Sequence, residues 1–201
     1  MKSMNKAMIL IIILQRVIYA DSFFSKLIPD HIVTQFAGNQ GIISSGIGYS
    51  HELFKRETNT KIMYGFMPES IAGTDIHIFC LKRSTCINEY KLGALSVKTS
   101  LKLSVLLSIT ENTYISWPEH FPEGYYFPNA FHLQPSLGFS FNFNPSSNIN
   151  LNNVWIYTDL GILDMHLYHS IKTDRINILG NINLSLGLVY YLQDLYSGDD
   201  V

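Results

Sequence analysis

A chain of 201 residues fits one domain, and its composition, 47% apolar and 15% charged, is poor in charge beside the roughly 25% of a soluble domain. The formal net charge of −2, without any block of Lys or Arg, excludes the basic footprint that nucleic-acid binding needs. Glycine-rich phosphate loops and cofactor fingerprints are missing from the sequence, so no cofactor is expected.

Taken from the start, Lys2 and Lys6 precede an apolar run over 7–14, and Ala20 offers a small residue before Asp21. This is the pattern of an export signal over 1–20, with 21–201 left as the mature domain. The run is too short to span a bilayer as a helix, which takes about 20 apolar residues. Arg16 interrupts the approach to Ala20 and leaves a short uncleaved anchor as the other reading. Later apolar stretches are broken by Ser, Asn, Gly, Lys or Pro, so any membrane crossing would be made by strands.

A period of two dominates the rest. From Leu95 to Ile109 the odd positions are Leu, Val, Thr, Leu, Leu, Val, Leu and Ile, while the even ones are Ser, Lys or Leu. In a strand this sends apolar and polar side chains to opposite faces. The same sorting marks 43–53 and 131–143, returns over 176–190, and recurs more weakly over 32–38, 60–67, 75–82 and 154–161. Between these segments lie stretches rich in Asn, Ser, Gly or Pro and other polar runs, read as connections over 39–41, 55–59, 68–74, 83–92, 111–129, 144–153 and 162–174.

Alternation alone serves a soluble barrel, apolar inside, as well as an outer-membrane barrel, apolar outside. The polar face here is mostly Ser, Asn and Gly, which suits a cramped lumen better than a solvated surface. Several segments also reach the 9–11 residues that a tilted transmembrane strand takes. The expected fold is therefore all-β, an antiparallel up-and-down transmembrane β-barrel of about eight strands in a bacterial outer membrane, with outer-membrane lipid as its surroundings. Its polar-face charges, Glu52, Lys61, Asp75, Lys98, Lys102 and Asp159, should then pair or meet water in the lumen, which at this strand number is expected to be plugged. Tyr49, Phe54, Tyr64, Phe66, Phe131, Phe143, Trp155, Tyr157, Tyr190 and Tyr191, near strand ends, are candidates for aromatic girdles. The chain runs on past Tyr191 to an acidic tail, whereas outer-membrane barrels often end on an aromatic residue.

Two short motifs, Tyr64-Gly65-Phe66-Met67-Pro68 and the segment from Trp117-Pro118-Glu119-His120 to Tyr126, resemble a group of uncharacterised outer-membrane β-barrel proteins of Bacteroidetes-type bacteria. The resemblance implies the barrel over nearly the whole mature chain and brings no activity with it.

Functional residues are sparse. Cys80 and Cys86 allow either a disulfide or a reduced pair, and two thiols without His partners lack a metal-ligand set. His166, His169 and Ser170 are the candidates for acyl-hydrolase chemistry of the lipid A deacylase kind, but His169 and Ser170 are adjacent and would point to opposite sides of a strand. Asp164 and Asp174 are nearby without a recognisable triad spacing. Catalysis is thus the alternative and not the main reading. A soluble secreted barrel holding an apolar ligand is a third reading, and any small or lipidic ligand is left unnamed. The binding surface is expected in the connection after the fifth strand, on the extracellular side. There Trp117, Phe121, Tyr125 and Tyr126 add aromatic area to a loop stiffened by Pro118, Pro122 and Pro128.

Overall fold

The computed structural model describes residues 28–111, 113–116, 129–143, 152–172 and 179–192. In chain order the elements are β1 (His31–Phe36), β2 (Ile43–Leu53), β3 (Arg56–Met67), α1 (Glu69–Ala72), β4 (Ile76–Leu92), β5 (Leu95–Ile109), β6 (Phe131–Phe143), β7 (Val154–Gly161), α2 (Asp164–Lys172), a 3-10 turn (Leu179–Asn181) and β8 (Asn183–Tyr191). The strands pair antiparallel in sequence order, and β8 returns to β1 to close a barrel of eight.

Closure requires stagger. Followed from Ile32 through Ile47, Ile62, Leu81, Val105 and Leu133, the registered pairs climb steadily. Continued through the β6–β7, β7–β8 and β8–β1 registers, one circuit returns to β1 displaced by about ten residues. That stagger tilts the strands by roughly 40° and gives an interior that side chains can fill.

Alternation is realised with its apolar side outward. Ile32, Ile62, Leu81, Leu103, Leu133, Leu137, Leu160, Leu184, Leu186 and Leu188 are exposed on the wall. The intervening Lys61, Lys82, Ser84, Lys102, Ser104, Gln134, Ser136, Asp159 and Ser185 are buried inside. The interior also holds an apolar cluster of Val33, Met63, Ile78, Cys80, Leu106, Tyr157 and Val189, against which Ile76, Trp155, Leu163 and Tyr191 pack.

Several strand limits differ from the sequence reading, three of them by more than two residues. Residues 83–92, expected as a connection, continue β4, because Lys82, Ser84 and Cys86 carry on the inward parity. A bulge between Cys86 and Asn88 then absorbs one residue before the strand resumes pairing with β5. β3 likewise starts at Arg56, inside the expected 55–59 connection. At the other end β8 begins only at Asn183, and the residues before it form a 3-10 turn.

The hairpins explain the local boundaries. Leu53 pairs with Arg56 across a two-residue turn in which Phe54 and Lys55 take φ of 51° and 61°. This is the left-handed region where Asn-Gly is usual, and bulky residues there are strained. Leu92 pairs with Leu95 across Gly93-Ala94, and Gly93 takes the positive φ of 61° that begins a tight hairpin turn. Pro135 sits within β6 one residue before its pairing with β7 starts at Ser136 and Gly161. There β6 is an edge on that side, so the missing N–H costs little.

Cys80 and Cys86 are free. They lie along one strand, about 20 Å apart at the rise of a β-strand, well beyond the roughly 4–7 Å between Cα atoms that a disulfide spans.

Candidate functional site: the charged lumen

Adjacent strands bring like charges together at mid-height. Lys61 of β3 is the registered partner of Lys82 of β4, a pairing that repels unless something compensates it. Asp159 of β7 supplies the compensation from across the lumen. Lys82 Nζ donates to Asp159 Oδ2 at 3.1 Å and to Gln35 Oε1 at 2.6 Å, and Lys102 Nζ donates to Asp159 Oδ1 at 2.5 Å. Tyr157 O–H donates to the same Gln35 oxygen at 3.1 Å.

The Tyr157 ring adds a second compensation. The ammonium groups of Lys61, Lys82 and Lys102 stand 4.9, 5.7 and 4.6 Å from its centroid. An aromatic face attracts cations most strongly where they are desolvated, and all of these side chains are buried. Gly187 makes room for the ring, since a Cβ there would lie 2.4 Å from Tyr157 Cζ. Gly138 does the same for the ion pair, because its Cβ would meet Lys102 Cε at 2.3 Å and Asp159 Oδ1 at 2.7 Å.

Toward the end that carries the short turns, Lys98 pairs with Glu57, lies 4.0 Å from Glu89, and sits 4.8 Å from the Trp155 ring centroid. Between this pair and the central group is a cavity of about 30 Å³ bordered by Lys61, Lys98, Lys102, Ser84 and Ser100. Toward the other end Met63, Ile78, Cys80 and Leu106 fill the bore. The lumen is thus packed like a core, and Lys82, Lys98 and Lys102 are held in ion pairs while Lys61 stands over the Tyr157 ring.

Of the polar-face charges read from sequence, Lys61, Lys98, Lys102 and Asp159 meet inside. Glu52 and Asp75 do not: both are exposed, and Asp75 accepts from the Glu69 N–H at the start of α1. Trp155, Tyr157 and Tyr191, read as girdle aromatics, turn inward instead, because they share the parity of Asp159 on β7 and of Val189 on β8. Lys82, Gln35 and Glu57 were missed. Lys82 stood at the supposed end of a strand, and Glu57 in a supposed connection.

The hydrolase candidates lie on a helix and not on a strand or an irregular loop. His166 and Ser170 are one helical turn apart on α2, where Ser170 is buried, and no hydrogen bond joins them. His169 belongs to the same helix, and its side chain lies outside the described residues. Asp164 faces elsewhere, 3.3 Å from His132 Nδ1 and accepting from the Met165 N–H. Trp117, Phe121, Tyr125, Tyr126 and His120 lie outside the described residues, as do Asp174 and the segment 1–27.

No family model, no curated protein and no solved structure matches the chain. The geometry of barrel and lumen therefore carries the functional reading.

Proposed function

We propose that the protein is a bacterial outer-membrane β-barrel that acts as a closed, structural or ligand-presenting element and not as a pore. The observation that carries this reading is the inversion of the barrel: charge is collected inside, and a belt dominated by Ile, Leu and Phe faces out, interrupted by Arg83 on β4 and by Thr34 and Ser45. In water such a surface would be an aggregation site, since soluble monomers rarely expose more than a few hundred Å² of contiguous apolar area. In lipid it is the expected outer face of a small barrel.

Two further features support it. The strands close without an edge, which satisfies the backbone internally as hydrocarbon requires. Phe54 projects from a strained turn with 89% of its surface exposed, and an aromatic at a barrel rim is favoured at a membrane interface.

The same inversion disfavours a soluble barrel holding an apolar ligand, because the bore is already filled, by lysines and Asp159 at mid-height and by Met63, Ile78, Cys80 and Leu106 beyond them. Outer-membrane lipid is then the immediate partner of the wall, and the resemblance to Bacteroidetes-type barrels is consistent with this placement. The test is fractionation followed by gel mobility. The protein should sediment with outer membranes, resist extraction by carbonate, and migrate differently on a denaturing gel before and after boiling. Recovery in the soluble periplasm without detergent would overturn the proposal.

A further inference from the structure

Among the described residues, the mid-height of the lumen holds more lysine amino groups than carboxylates. At mid-height Lys61, Lys82 and Lys102 surround one carboxylate, Asp159, among the described residues. Asp159 engages Lys82 with one oxygen and Lys102 with the other. Glu57, the next carboxylate along the bore, is held by Lys98. Lys61 is left with the face of Tyr157, although 94% of its surface is buried, the remaining exposure being 6%. A buried ammonium without an anionic partner is costly, and a ring face at 4.9 Å offsets that cost in part.

Lys61 also borders the 30 Å³ cavity described above, together with Lys98, Lys102 and the hydroxyls of Ser84 and Ser100. That volume exceeds the 10–15 Å³ a single water takes on the same measure. It is too small for a phosphate ester or a carboxylic acid with a side chain. The lining offers three ammonium groups and two hydroxyls as donors. Glu57, the one acidic group on it among the described residues, is occupied by Lys98.

We propose that this cavity is a binding site for a small inorganic anion of the size of chloride, with Lys61 as its principal ligand, Lys102 as the second cation, and the Ser84 and Ser100 hydroxyls completing the donor set. The anion balances the lumen and locks β3, β4 and β5 together, so that occupancy couples to barrel stability. This rests on the folded barrel and not on its placement in a membrane.

The experiment uses the full-length protein folded in detergent micelles, with sodium chloride, bromide or iodide exchanged for sodium gluconate at constant ionic strength. Gluconate is too large for the cavity and controls for screening. The unfolding midpoint should rise saturably with each halide and stay flat with gluconate. In a Trp117→Phe background, iodide should quench Trp155 along a saturating curve. Lys61→Met should abolish both saturations, Ser100→Ala should weaken halide binding several-fold, and Lys91→Met, at the exposed rim, should leave it unchanged. Equal responses to chloride and gluconate, or saturation persisting in Lys61→Met, would overturn the site. Should Lys61→Met fail to fold, Ser100→Ala decides: an unaltered halide response there refutes the proposal. Fractionation of the same preparation reports separately on the membrane reading, so either can fail without the other.

Discussion

Lys102 Nζ lies 2.5 Å from Asp159 Oδ1 across the barrel lumen, although 57 residues separate the two in sequence. The contact ties β5 to β7, which are not neighbours in the sheet. Asp159→Asn would keep the shape and remove the charge, leaving Lys61, Lys82 and Lys102 facing one another. Removing one partner of a buried ion pair costs about 3–5 kcal/mol, so the urea midpoint in micelles should fall sharply. Lys102→Met, which removes a cation and keeps most of the volume, should cost much less. Equal losses for the two variants would mean that the lumen is hydrated enough to screen the charges.

Gly138→Ala tests the same contact sterically. The added methyl would press on Lys102 Cε and on Asp159 Oδ1, and overpacking of this kind costs about 1–3 kcal/mol. Gly73→Ala adds a methyl into open space, at a φ of 78° that favours glycine, so any loss there is backbone strain alone. Combining Gly138→Ala with Lys102→Ala should recover most of the Gly138→Ala loss. An undiminished penalty in the double variant would place the clash elsewhere.

The sorting of β5 makes a third prediction. Leu103 is exposed on the wall, and Ser104, the next residue, is buried in the lumen. Near mid-membrane, Leu103→Arg should weaken insertion by about 2–4 kcal/mol, measured by refolding into lipid vesicles. Cysteines placed at the two positions should differ in reactivity toward a water-soluble maleimide and a lipid-soluble one. Identical labelling at both would contradict the inside and outside assignment.

The native cysteines provide a simpler check. Both thiols should alkylate in denaturant without prior reduction. In the folded protein Cys86, which is partly exposed, should react well before the buried Cys80. A mass two hydrogens short of the reduced chain would show a bond that the strand geometry does not allow.

Much of this fold was legible because a barrel writes itself locally. The alternation over 95–109 and 131–143 needs nothing beyond the strand period, and both segments match β5 and β6 at each end. The end of β4 was not legible: Arg83, an exposed cation, and the bulge near Cys86 interrupt the pattern where the strand continues. The lumen was half legible. Lys102 and Asp159 could be assigned to one face, but their meeting depends on the stagger around the barrel, a global quantity fixed by all eight registers together. Tyr157 is a girdle candidate by residue type alone, while its parity with Asp159 on β7 points inward.

Orientation gives the last prediction. The barrel has two unlike ends. One carries the two-residue turns at 54–55 and 93–94 and the connection 144–153, together with the approaches to β1 and from β8; the other carries the connections 37–42, 68–75, 110–130 and 162–182, two of which are twice as long as any at the first end. Outer-membrane barrels keep short turns in the periplasm and longer loops outside, so under the proposed outer-membrane placement the second end should face the medium. Gly73 and Gly93 mark the two ends, both with positive φ and with nothing within 4 Å of a built Cβ. Exposed turns of this kind tolerate insertion well. An epitope inserted after Gly73 should bind antibody on intact cells, and one inserted after Gly93 should bind only once the outer membrane is opened. Protease added to intact cells should likewise cut within 110–130 and spare the 93–94 turn. Labelling at Gly93 from outside, with Gly73 protected, would invert the topology and move the aromatic segment around Trp117 and Tyr125 into the periplasm.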